Sequence, residues 1–200
     1  MKSKVFPRAV RVIAVLVLAV GTGALAQSPN HMKFRGVIND FTPASTVSPG
    51  GPWEVRGHWS LVVKERNGRD DCKADFSAAL TMERSDLGVV QNGGGDLNNP
   101  MDRMAHTHHI TLIGGEVTTI PGGIRVTGLA TVRANGMFPP PFGSDLPTLT
   151  IDITGGAGEN GVAFSNVTLL FGDPAAGHFG TYPLHGIVVR SSDKRDAGRR

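Results

Sequence analysis

The four residues His106-Thr107-His108-His109 hold three of the chain's seven histidines. On a strand, positions i and i+2 project from one face. His106 and His108 therefore set two imidazoles side by side, and Ile110 and Leu112 continue their row. His109 falls on the opposite row with Thr107 and Thr111. Paired imidazoles are one way a sheet holds zinc, copper or iron, because neutral ring nitrogens suit those borderline metals. A third ligand is required, and His178 supplies it if its loop returns to the same place. His185 and Asp102 are further donors. The expected metal set is His106, His108 and His178, with a divalent Zn, Cu or Fe as cofactor. Two other uses suit the pair. The rings can hydrogen-bond polar groups inside the fold, or an imidazole can act as general acid or base near neutral pH.

Other constellations carry less chemistry. A single cysteine, Cys72, excludes an intramolecular disulfide framework and any cysteine-rich zinc or iron–sulfur site. Gly93-Gly94-Gly95 lies among Asn92, Asn98 and Asn99 and opens no helix, so flexibility suits it better than a phosphate cradle. The cupin pattern places a glutamate shortly after His-x-His, and Glu116 comes too late to meet it. Over a few residues Ala105-His106-Thr107-His108 is similar to the Ala-His-Ile-His segment of secreted CHRD-type β-domains, a likeness that implies no particular chemistry.

The elements that must position the histidines read as β. Trp53, Val55, Gly57, Trp59, Leu61 and Val63 alternate with Glu54, Arg56, His58, Ser60, Val62 and Lys64, a period of two. Ala74, Phe76, Ala78, Leu80 and Met82 repeat the pattern after a turn containing Asn67-Gly68. Similar runs cover about 33–41, 106–117, 124–133, 148–154, 162–171 and 182–189. The spacing predicts Trp59, Leu61, Phe76, Leu80, Val126 and Ile151 inside, and Arg56, Glu83, Arg125 and Asp152 outside. Eight consecutive strands with turn signals predict an all-β fold. An eight-stranded antiparallel up-and-down barrel is favoured because closure removes exposed edges; a β-sandwich is the alternative.

In such a barrel alternate connections share an end. The first, third, fifth and seventh are long, and the others are short. Binding groups are expected at the long-loop end, where His106 begins its strand. Trp53, Phe138, Phe142 and Tyr182 are the expected lining of an apolar ligand site there. The leading expectation is therefore an exported barrel that binds a small apolar molecule. The alternatives are a barrel enzyme, either metal-dependent or a cofactor-free cyclase or isomerase, and an envelope interaction protein without a pocket.

Export follows from residues 1–26. Lys2, Lys4, Arg8 and Arg11 precede the apolar run Val12–Val20, and Ala24-Leu25-Ala26 gives a small-x-small cleavage pattern. The run is short for a bilayer span. Gln27 rather than cysteine follows, so neither a lipid anchor nor a lasting membrane anchor is expected, and the mature protein is expected in the periplasm or outside the cell. Removing that segment takes away four of the 20 basic residues and none of the 17 acidic ones, which leaves 16 against 17. A nearly neutral to slightly acidic body argues against nucleic acid as a partner. The domain expected is a single barrel over 27–190, followed by a polar, disordered tail over 191–200.

Overall fold

The computed structural model describes residues 31–42, 53–65, 72–84, 105–135, 146–158, 161–173 and 175–193. Eight strands form: β1 (His31–Thr42), β2 (Trp53–Glu65), β3 (Cys72–Arg84), β4 (His106–Ile120), β5 (Gly123–Asn135), β6 (Thr148–Gly158), β7 (Gly161–Phe171) and β8 (Leu184–Asp193). Each pairs antiparallel with its neighbour in sequence, and β8 closes on β1. The fold is thus a closed eight-stranded up-and-down barrel.

Period-two alternation decides what faces in. Phe34, Ile38, Val55, Trp59, Leu61, Phe76, Leu80, Ile110, Leu112, Val126, Leu149, Ile151 and Leu169 are buried in one continuous interior cluster. All six core residues expected from spacing lie in it. On the outer face Arg56 and Arg125 are exposed, whereas Glu83 and Asp152 are half-buried. The cause is ion pairing. The Arg56 guanidinium lies on Glu83, and Arg125 donates to both Asp152 oxygens at 2.7 Å, which covers the shorter acidic side chains.

Alternation fails within β4. Leu112 faces Ala130 on β5 while Glu116 faces Thr127, so β4 carries one extra residue, a β-bulge. Gly114 takes φ 70° there and donates its backbone N–H to Asp75 Oδ1 at 3.0 Å. The bulge returns Gly115 to the interior. At inward Gly36 a Cβ would collide with the Ile187 carbonyl and the Trp59 indole, so the close approach of β8 and Trp59 to β1 requires glycine.

β1, β3, β5 and β7 end at one rim, where β4 begins with His106. The β7–β8 connection crosses back at this rim and contains a single helical turn, α1 (Ala176–Phe179). Backbone bonds from Phe179 to Ala175 and from Gly180 to Ala176, both 2.9 Å, close the turn. Ala175 and Phe179 are fully buried, and Phe179 stacks on Phe171 with ring centroids 4.2 Å apart. β8 continues to Asp193, beyond the boundary at 190 expected from composition.

A candidate tri-histidine metal centre

Strand β4 positions two of the ring systems. His106 and His108 share the inward row, are buried, and hold their rings 4.7 Å apart at an interplanar angle of 83°. They sit opposite Met82 and Leu80 on β3, so apolar neighbours fix their level in the barrel. His109 points outward and is exposed, as its parity requires.

Helical turn α1 supplies the third ring. Burial of Phe179 anchors the turn against the barrel end and carries the preceding His178 inward. The Phe179 ring packs against both His108, at 4.9 Å, and His178, at 5.3 Å. His178 Nε2 lies 2.9 Å from His108 Nε2 and 3.3 Å from His106 Nε2. One nitrogen from each of the three residues falls within 4.8 Å of the others. Trp53 closes the side of the cluster, with its ring edge-on to His106 at 5.8 Å.

These spacings suit a shared ion. Two nitrogens bound to zinc at 2.0–2.1 Å with a tetrahedral angle stand about 3.3 Å apart. A ring nitrogen carries one proton or one lone pair. As a hydrogen-bonding atom, His178 Nε2 serves one of its two neighbours well at a time. A cation at the centre takes a lone pair from all three. The three residues could hold a metal ion.

The electrostatics favour neutral, donating rings. Burial first, then repulsion from His178, His106 and His109, pushes the His108 imidazole down to about 2. Burial first, then His106, pushes His178 down to about 4. Both rings are uncharged at neutral pH, so no proton must leave them before a metal binds.

The remaining sequence-derived candidates fall elsewhere. Trp53 is at the cluster and buried. Tyr182 is not part of it: the residue precedes β8 rather than starting it and is 70 % exposed. His185 lies on the outer face, where its Nδ1 pairs with Asp40 Oδ2 at 2.9 Å. Phe138, Phe142 and Asp102 lie outside the described residues. Phe179, which packs on His178, and Phe171, which stacks on Phe179, were not singled out by sequence reasoning. The available signal was an aromatic directly after His178 in a glycine-flanked segment.

No protein-family model matches the chain, and no curated protein or solved structure matches it significantly. The fold and the site themselves define the class: a closed eight-stranded antiparallel β-barrel with a tri-histidine cluster at one rim.

Proposed function

We propose that the protein is a metal-binding barrel that takes one divalent transition metal, zinc foremost, on the Nε2 atoms of His106, His108 and His178. The observation that carries this reading is the convergence of three ring nitrogens from β4 and α1 on one point. Imidazole also suits copper and iron, so the metal found after purification assigns the ion. Three protein nitrogens leave one tetrahedral position for water or an added ligand, the pattern of zinc sites that do chemistry rather than purely structural ones. That open position supports a metal-dependent enzyme as the second reading.

An apolar ligand inside the barrel has weaker support. The inward rows from β1 to β8 pack into one buried cluster, and of the two expected lining residues that are described, Trp53 stands at the histidines while Tyr182 is exposed. Such a ligand would be confined to the rim.

The test is elemental analysis and native mass spectrometry of the purified chain, followed by titration of metal-free protein. The reading expects one ion per chain. It expects His106→Ala/His108→Ala to lose that ion while keeping the β circular dichroism of the barrel. A wild-type chain that takes up no stoichiometric zinc, copper or iron defeats the proposal.

We further propose, from the amino-terminal sequence alone, that the working protein lies outside the cytoplasm after cleavage behind Ala26. Amino-terminal sequencing of the exported product should begin at Gln27.

A further inference from the structure

The outer face contains like charges set directly opposite one another. Glu54 faces Glu83 and Lys64 faces Lys73 across the β2–β3 pair, and Arg35 faces Arg190 across the β1–β8 seam. The first two pairs are neutralised locally. Arg56 contacts both Glu54 and Glu83, Lys64 binds Asp75 at 2.7 Å, and Lys73 approaches Glu116 at 3.9 Å. Among the described residues no carboxylate pairs with Arg35 or Arg190. Opposed like charges weaken a sheet, so this seam carries a repulsion that the rest of the surface relieves.

A bulge builds the arrangement. Gly36 faces Val188 while Arg35 faces Arg190, which leaves Val189 as an extra residue in β8. The bulge turns Val189 and Arg190 outward together, and Val189 is 67 % exposed. Ile187, opposite Val37, is 53 % exposed beside them. Lys33, two positions before Arg35, is also exposed and adds a third cation to the face. Four more basic residues, Lys194, Arg195, Arg199 and Arg200, follow β8 in the sequence. The seam thus joins guanidinium groups that have no carboxylate partner among the described residues to exposed aliphatic side chains.

We propose that the β1/β8 seam is a docking face for an anionic lipid bilayer. Arg35, Arg190 and Lys33 engage phosphate headgroups, and Ile187 and Val189 insert among them. Basic groups rimming exposed aliphatics are what a peripheral bilayer contact requires. A soluble polyanion gives Ile187 and Val189 nothing to bind, so charge and apolar exposure together favour the membrane surface. The inference is independent of the metal centre.

Co-sedimentation of the full chain tests it, using vesicles of phosphatidylcholine alone or mixed with phosphatidylglycerol. The basic residues Lys2, Lys4, Arg8 and Arg11 beside the amino-terminal apolar run favour phosphatidylglycerol equally in wild type and in every variant, so the seam is read as the share of the preference that its own substitutions remove. Binding is expected to be at least about tenfold tighter with phosphatidylglycerol and to fall with salt. Arg35→Gln/Arg190→Gln should cut that preference severalfold, and Ile187→Ser/Val189→Ser should weaken it. Arg190→Glu should create an opposed Arg–Glu pair, raising the melting temperature while also cutting the preference, which shows that lost binding is not lost folding. Equal binding to both vesicle types overturns the proposal, as does an unchanged preference in the arginine double variant. Competition by heparin or an oligonucleotide, with Ile187 and Val189 dispensable, also overturns it in favour of a soluble polyanion.

Discussion

His108 Nε2 and His178 Nε2 stand 2.9 Å apart although 70 positions of chain separate them. One belongs to a strand paired on both sides, the other to a single helical turn in the connection that re-enters the rim. An ion held by both ties this connection to the barrel wall. On the proposed reading, metal affinity and local stability are coupled at this rim.

That coupling predicts a thermal shift. A ligand that binds only the folded state adds RT ln(1 + [L]/Kd), about 2.7 kcal/mol at a hundredfold excess over Kd. Zinc should raise the melting temperature of wild-type chain by several degrees, and His178→Ala should abolish most of the rise. His109→Ala is the control, because His109 is exposed on the other face of the same strand. An equal rise in wild type and His178→Ala would remove His178 from the site.

Trp53 should report occupancy. Its ring lies 5.8 Å from that of His106, and the chain has only one other tryptophan, Trp59. In a Trp59→Phe background Trp53 is the sole tryptophan, read by excitation at the red edge where Tyr182 does not absorb. Copper(II) at the three histidines should quench it saturably at one equivalent, and His106→Ala should remove the saturable phase. Quenching that stays linear in copper concentration would indicate collisions rather than a site.

The scaffold was legible because one residue pattern controls it. Trp59, Leu61, Phe76 and Leu80 show period two without interruption, and His106 and His108 inherit their direction from Ile110 and Leu112. Interruptions were not legible. The Gly114 bulge in β4 and the Val189 bulge in β8 depend on cross-strand register, which no single segment contains. The α1 turn spans only four residues, too few for a helical period to emerge. Tyr182 does lie in the β7–β8 connection at the expected end, but β8 starts only at Leu184 and the tyrosine ring is left in solvent.

Acid should destabilise the metal-free protein through the cluster. His178 is pushed down to about 4 in the folded state, below the ordinary value near 6.5. Above pH 6.5 the ring is neutral both folded and unfolded, and the full stability is present. As pH falls from 6.5 toward 4 the unfolded chain takes the proton first, so stability falls, by on the order of a few kcal/mol. His108, pushed down to about 2, extends the loss further into acid. Urea unfolding of metal-free protein between pH 7 and 4 measures this slope. His178→Gln should roughly halve it, because His108 contributes over the same range, and a slope unchanged by that substitution would place the acid sensitivity elsewhere.

Two phenylalanines separate barrel stability from site geometry. Phe76 is buried at the middle of β3, stacked near Trp59 at 6.4 Å and opposite Leu112. Phe179 is equally buried but packs on Phe171, His108 and His178. Truncating either to alanine removes a buried ring and leaves a cavity, at a cost of about 3–5 kcal/mol where the whole fold depends on it. Phe76→Ala should pay that cost globally and leave zinc affinity within about twofold, because no ligand rests on it. Phe179→Ala frees α1 from the rim and leaves His178 without its packing. Its zinc affinity should drop by about 10–100-fold, the range typical of lost support behind a metal ligand. Calorimetric titration of both variants, with circular dichroism to establish that each is folded, makes the comparison. Equal zinc affinities in the two would mean that α1 does not position the third ligand.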